Sequence, residues 1–219
     1  SLKKYAEEDG LHTHYAIGQI AEAYVMATLV DYLGDIPYSE SNDPTIFNPA
    51  VDSGKDIYAS LITLLDSAIA NLNLEEKKLP DNDFYYGGDE AKWIKFANTL
   101  KLRLLLRESQ RTASASYIST KMNELQTSGA TFLGPDDNVK INPGYNATAN
   151  QQNGFAATFL TTNDTFKNNW SSTAATKYTI TYLLGTNDTR IGRIYSATSA
   201  GPGTYNGHQQ GDVLSTSTN

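Results

Sequence analysis

The chain has 219 residues, long enough to bury a sizeable core, and its 39% apolar and 19% charged content is ordinary for a globular protein. A net charge of −7 argues against a nucleic-acid partner, which needs a basic face, and the basic residues cluster nowhere beyond the pairs Lys3-Lys4 and Lys77-Lys78. The absence of cysteine excludes disulfides, thiol nucleophiles and thiolate metal sites, and no run approaches the roughly 20 apolar residues that span a bilayer.

The first residues, Ser1 to Glu8, are charged and helix-like rather than a signal peptide. A start inside a helix is the expectation for a fragment or processed form whose natural N-terminus lies upstream. From His12 to Leu33, Ile17, Ile20, Ala21, Tyr24, Thr28 and Leu29 recur at three- and four-residue steps and predict a helix with those residues inward. Gly34 stops it, and Asp35-Ile36-Pro37 makes a fixed turn. Pro44 and Pro49 keep the segment Tyr38 to Val51 a loop. A second helix starts at Asp52 or Ser53, either of which can cap it, and carries the stripe Ile57, Leu61, Leu64, Leu65, Ala68 and Leu72. A third runs from Asp89 to Arg107 with Trp93, Phe96, Ala97, Leu100 and Leu104 on one face. Ile94, Leu102 and Leu105 form another strip, so burial on two sides is expected. A fourth spans Ser114 to Ser128 and ends at Gly129; shorter helices are expected around Phe155–Leu160 and Tyr178–Leu184, then mostly loop beyond Arg193.

Helices of about 20 residues with short or Pro-containing connections imply antiparallel pairs. Their starts, near residues 12, 53, 89 and 114, form a degraded version of the ~34-residue tetratricopeptide period, although an unrelated helical bundle has the same spacing. Composition then shifts near residue 140. Every Glu lies at or before Glu124, and residues 142–219 are rich in Asn, Thr, Ser, Gly and Tyr, which favour turns and short elements. The shift marks either a domain boundary or long loops laid over one helical core; the second is the expectation here, a single domain over 1–219 with a helical scaffold in 1–141.

Candidate chemistry is sparse. His12 and His14 are two apart, so on a helix they point in different directions, and no metal site is expected there or at His208. Asp81-Asn82-Asp83 opens like a calcium loop, but Tyr85 and Gly87 break the pattern, and a solvated loop or helix cap is the expectation for it and for Asp136-Asp137-Asn138. A glycosidase needs two facing carboxyl groups, and the Tyr-rich half offers only Asp164, Asp188 and Asp212, with no favoured pairing. No nucleophile elbow, phosphate loop or dinucleotide fingerprint occurs. The four sequons at Asn146, Asn163, Asn169 and Asn187 are adequately explained by composition. What remains is aromatic: Tyr145, Trp170, Tyr178, Tyr182, Tyr195 and Tyr205 lie among amides and hydroxyls. Sugars present C–H faces to rings and hydroxyls to amides, so such a surface suits carbohydrate, although each ring is equally at home anchoring a core. Trp170, Tyr145 and Tyr205, with Asn146 beside them, are the candidate ligand-binding residues.

Several segments carry a more specific resemblance. Ala23-Tyr24-Val25 through Leu33-Gly34-Asp35-Ile36-Pro37-Tyr38-Ser39-Glu40, and Asp56-Ile57-Tyr58 through Leu64-Leu65-Asp66-Ser67-Ala68, resemble the SusD/RagB family in that order. So do Asp83-Phe84-Tyr85-Tyr86-Gly87-Gly88-Asp89 with Lys92-Trp93-Ile94-Lys95-Phe96-Ala97-Asn98, then Asn142-Pro143-Gly144-Tyr145-Asn146 and Asn187-Asp188-Thr189-Arg190. Thr189 stands where the family usually has proline. The resemblance implies a mainly α fold of tetratricopeptide-like antiparallel helix pairs with a loop-rich irregular region. It implies a non-enzymatic lipoprotein on the extracellular face of a Bacteroidetes-type outer membrane, anchored by a lipid outside this chain. Such a protein binds a glycan or other nutrient for a SusC-like TonB-dependent transporter and needs no cofactor. A helical-repeat scaffold that binds a peptide or protein partner is the alternative.

Overall fold

The computed structural model describes residues 2–74, 83–141, 144–161, 174–209 and 211. They fall into two compact units, residues 1–141 and 142–219.

The first unit is mainly helical: α1 (Leu2–Glu8), α2 (His12–Leu33), α3 (Gly54–Leu72), α4 (Glu90–Glu108) and α5 (Ala115–Thr127), the last preceded by a 3₁₀ turn at Thr112–Ser114. Chain neighbours are also spatial neighbours. Directions follow from who meets whom. Gln19 near the start of α2 bonds Ser67 at 3.1 Å and Asn71 at 3.0 Å near the end of α3, whereas Asp31 at the end of α2 takes the Tyr58 hydroxyl from the start of α3. These helices are therefore antiparallel. The α2 start also meets the α4 start through Thr13 and Glu90 (3.1 Å), and Asp31 pairs with Arg107 at the α4 end, so α2 and α4 run parallel with α3 opposed to both. The expected helix pairs are present.

Gly34, at φ 80°, ends α2 in a backbone conformation that suits glycine. Ile36–Pro37 (β1) then pairs antiparallel with Val51–Asp52 (β2), closing the proline-bearing loop into a hairpin. This hairpin overturns the expected cap of α3. Ser53 makes no side-chain cap, and the Asp52 carboxylate is held by Tyr38 N (2.9 Å) and Ser39 N (2.7 Å). Asp35 reaches across from the turn instead, and its carboxylate accepts from Gly54 N at 2.8 Å.

The core joins Ala16, Ile20, Ala23 and Ala27 of α2, Ile57, Leu61, Ile62, Leu65, Ala68 and Leu72 of α3, and Trp93, Ala97, Leu100, Leu104 and Leu105 of α4. For α3 and α4 the expected stripes are largely those buried, with Leu64, Phe96, Ile94 and Leu102 at the margin. For α2 the expected face holds at Ile20, which is buried, and at Ile17, which packs at the margin, and fails beyond them. Tyr24 and Leu29 are exposed, as is Ala21, and the inward face is built on small residues. This helix is apolar on nearly every side, so periodicity does not select a face; alanines at 16, 23 and 27 let α3 approach closely, and packing decides.

The segment before α4 is a clamp. Asp83 accepts from the Trp93 indole (2.7 Å), Gly88 N (2.9 Å), Tyr85 N (3.0 Å) and Tyr86 N (3.2 Å). Partial burial raises its pKa, and the four hydrogen bonds outweigh that and hold it below the ordinary value. Asp83 is thus held in a hydrogen-bonded clamp rather than solvated; Asp81 and Asn82 lie outside the described residues. Asp89 caps α4 through Lys92 N at 3.1 Å, as its position in the sequence predicts. Trp93, 3% exposed, packs edge-on against Tyr86 at 5.2 Å. Asp137 is likewise engaged, accepting from Lys95 at 2.9 Å and Gly134 N at 3.0 Å.

The second unit has short elements: α6 (Gly154–Phe159), α7 (Lys177–Gly185) and α8 (Ile191–Ile194). Its buried cluster is small, Ile180 and Leu183 of α7 with Ile191 of α8, flanked by Ala175, Tyr195 and Tyr205.

Candidate ligand-binding site

The second unit holds a concavity because its loops are pinned around α7 and α8. Thr176 caps α7, its hydroxyl accepting from Thr179 N at 3.3 Å. The strand-like segment at His208 docks beside that start: Lys177 N donates to His208 O, and His208 N to Ala175 O, both at 2.8 Å. Gly207 is required there, since a Cβ would lie 2.6 Å from the Thr176 carbonyl carbon. At the far end, Asn187 (φ 52°) turns the chain, and Asp188 accepts from Arg190 N at 3.0 Å and its Nε at 2.9 Å. That Arg190 pairing brings the Asp188 pKa down to about 2. A loop then folds on itself, with Thr198 N donating to Thr204 O at 2.8 Å.

Between α8 and this loop lies a cavity of about 620 Å³, walled among others by Arg193, Tyr195, Ser196, Thr198, Pro202 and Tyr205. The volume falls within the range of small-ligand sites, roughly 300–1,000 Å³. Tyr195 and Tyr205 serve two purposes: each ring packs on the Ile180–Leu183–Ile191 cluster and also lines the cavity. Tyr205 sits close enough over α8 that a Cβ at Gly192 would be 3.1 Å from its hydroxyl. Arg193, Ser196 and Thr198 supply polar groups next to rings, the combination a sugar requires.

Of the residues expected from sequence, Tyr205 is in this wall. Tyr145 and Asn146 are not among its lining residues. The Asn146 amide holds its own turn, donating to Gln151 Oε1 and accepting from Thr148 N, both at 2.8 Å. Trp170 lies outside the described residues. As for a hydrolytic pair, Asp188 is engaged by Arg190, and Asp164 and Asp212 lie outside the described residues.

Two features went unselected in the sequence. Tyr195 follows α8 directly, and only the fold sets it in the same cavity wall as Tyr205. Tyr178 and Tyr182 stand on the outer face of α7, with near-parallel rings (19° between planes) and centroids 6.4 Å apart. Their four-residue spacing on a helix whose inward residues are Ile180 and Leu183 is a signal the sequence does contain.

The first unit has a second hollow, about 550 Å³, at the ends of α2 and α4 and the start of α3. Most of its charges are engaged from within: Asp31 takes Tyr58 and Arg107, Glu108 takes Arg111 at 3.5 Å, and Asp35 takes Gly54 N. It reads as a structural junction.

A model of the SusD-like family, described as "Starch-binding associating with outer membrane", matches residues 1–219. The chain belongs to the SusD-like family. Solved relatives agree. A SusD/RagB family protein from Bacteroides thetaiotaomicron is 30% identical with a TM-score of 0.60, over 82% of this chain and 34% of that one. A SusD homologue from Bacteroides uniformis is 27% identical with a TM-score of 0.70, over 95% and 41%. A chitin-binding SusD homologue from Flavobacterium johnsoniae, 24% identical with a TM-score of 0.68 over 90% and 39%, shows the fold alone. The SusD-like chain thus spans about a third to two-fifths of the length of these solved relatives. None of the proteins of curated function matches it. Among the described residues no helix is long and apolar enough to cross a membrane.

Proposed function

We propose that this SusD-like chain belongs to a non-catalytic, lipid-anchored protein of the outer-membrane surface that binds a glycan or related nutrient and passes it to a SusC-like TonB-dependent transporter. The family match supports the surface-binding class, and the observation that carries the site is the tyrosine-lined cavity between α8 and the 198–205 loop. Recognition there is by stacking on Tyr195 and Tyr205 and hydrogen bonding from Arg193, Ser196 and Thr198. An open site of this kind gives micromolar to millimolar affinity, about −4 to −8 kcal/mol.

The test is a glycan array on the chain, with calorimetry on each hit for wild type and Tyr205→Ala. The proposal expects a hit weakened by the substitution, with the glycan recovered at its original length. An array with no hit sinks the glycan reading; shortening of the bound glycan sinks the non-catalytic one. Equal binding by Tyr205→Ala moves the site elsewhere.

One observation favours the alternative of a protein partner. Tyr32 (84% exposed) and Leu33 (68%) of α2 and Leu106 (55%) of α4 leave apolar surface on the helical unit. Capture of a peptide or protein partner that a Leu106→Glu variant loses, with no glycan bound by the loop-rich unit, is the outcome that reading requires.

A further inference from the structure

We infer that Asn206-Gly207 is a site of self-modification, at which Asn206 converts to aspartate and isoaspartate and the second product releases the cavity loop from the start of α7. The inference needs no ligand and stands apart from the glycan-binding reading.

The chain has two Asn-Gly pairs, Asn153-Gly154 and Asn206-Gly207. Glycine after asparagine favours this chemistry, because no Cβ shields the backbone nitrogen and the chain can turn toward the side chain. The fold treats the two pairs differently. Asn153 caps α6, its Oδ1 accepting from Phe155 N at 3.0 Å and Ala156 N at 3.4 Å. Those bonds pin the amide to nitrogens beyond Gly154. Asn206 is exposed, and its Oδ1 accepts from the Gly207 N–H itself at 2.9 Å. The two groups that must react are already together, which lowers the orientational cost of closing a ring. Packing also fixes the glycine, since a Cβ at 207 would lie 2.6 Å from the Thr176 carbonyl carbon. The contact that docks this loop therefore demands the residue that leaves Asn206 open to attack.

Solvent hydroxide takes the Gly207 amide proton, and the nitrogen attacks Asn206 Cγ. The N–Cγ bond forms, the Cγ–Nδ2 bond breaks, and Nδ2 leaves as ammonia with a proton from water, which restores the hydroxide. Water then opens the cyclic imide. Cleavage of the new N–Cγ bond gives aspartate, whereas cleavage of the original bond between Asn206 C and Gly207 N gives isoaspartate. A water is consumed, an ammonia is released, and nothing is oxidised or reduced. Isoaspartate routes the main chain through Cβ and Cγ, which adds an atom between residues 206 and 207. The fold has no slack for it. Gly207 lies against the Thr176 backbone, and His208 is bonded to both Ala175 O and Lys177 N at 2.8 Å. Tyr205, on the other side of the change, lines the cavity and packs on the Ile180–Leu183–Ile191 cluster. Both attachments cannot survive the longer chain between them.

The test ages the full chain in mildly alkaline buffer, folded and in urea, and follows both pairs by peptide mass spectrometry and an isoaspartyl methyltransferase assay. In the folded chain Asn206 is expected to convert about tenfold faster than Asn153, the scale of effect that a preformed approach gives. In urea, where neither arrangement survives, the two rates should be alike. Equal rates in the folded chain, or a slower Asn206, overturn the site, and the same ratio in urea overturns its geometric cause. Hydrogen exchange should then be faster at the Lys177 and His208 amides of aged wild type than of fresh protein. Aged Asn206→Gln, whose longer side chain closes the ring far more slowly, should show no change. Fresh Asn206→Asp adds the charge without the extra atom and should match fresh wild type. Unchanged exchange in a chain carrying isoaspartate at 206 overturns the release, and equal loosening in fresh Asn206→Asp overturns chain lengthening as its cause.

Discussion

The two units differ in how much of their surface is committed to folding. In residues 1–141 long helices bury a continuous core, and nearly every charged or polar side chain at a junction has a partner, from Gln19–Ser67–Asn71 to Asp83–Trp93. Among the described residues of 142–219 the buried cluster is three aliphatic residues, with tyrosines at its edge or outside it. Under the proposed function the difference separates support from recognition. In the loop-rich unit Tyr195 and Tyr205 do both, packing on the small cluster and lining the cavity.

The contrast can be broken most severely in the helical unit. Trp93→Ala removes the ring that joins Tyr86, Phe96 and the Asp83 carboxylate, and should cost about 3–5 kcal/mol. Chemical denaturation followed by helical circular dichroism measures it; a loss below about 1 kcal/mol would mean that the clamp is not the anchor it resembles. In the loop-rich unit the largest expected effect is backbone overcrowding. Gly207→Ala forces a Cβ to within 2.7 Å of the Thr176 oxygen and Lys177 nitrogen, and should cost about 1–3 kcal/mol. Hydrogen exchange should show faster exchange at the Lys177 and His208 amides, with the α2 and α3 amides unchanged. If protection falls equally in both units, they do not respond independently.

Acid sharpens the comparison with the smallest effect. Asp83 and Asp188 both have folded pKa values below the ordinary carboxylate. Each therefore adds stability that is fully present above the unfolded value of about 3.9 and is lost as pH falls through the folded one. For Asp188 that window runs down to about 2. Asp188 is held mainly by Arg190, whose side chain is 76% exposed, so salt should weaken its share, whereas the Asp83 cluster, held by backbone N–H groups and the buried Trp93 indole, should resist salt. A carboxyl titration by NMR at low and high salt checks this; equal salt sensitivity at both sites contradicts it.

Much of the helical unit was legible in the sequence because its elements are long and punctuated. Gly34 stops α2, Asp89 caps α4 and Gly129 follows α5, each through local backbone chemistry that needs no tertiary context. The inward face of α2 was not legible, since an almost uniformly apolar helix presents no periodic choice. The α3 cap was misread for a related reason: Ser53 and Asp52 stand in the right positions, yet the hairpin takes Asp52 and brings in Asp35 from 19 residues away.

The loop-rich unit was less legible still. Its aromatic and amide content pointed to carbohydrate, and Tyr205 does line a cavity, but Asn146 is consumed by its own turn. Helix positions, their stops and the family signature were settled by residue types at fixed short spacings, because hydrogen bonding and capping act over a few residues. Which tyrosines meet at the cavity, and which stand clear on α7, was decided only by tertiary structure, because that depends on the Gly207–Thr176 contact and the turn at Asn187 bringing distant segments around one short helix.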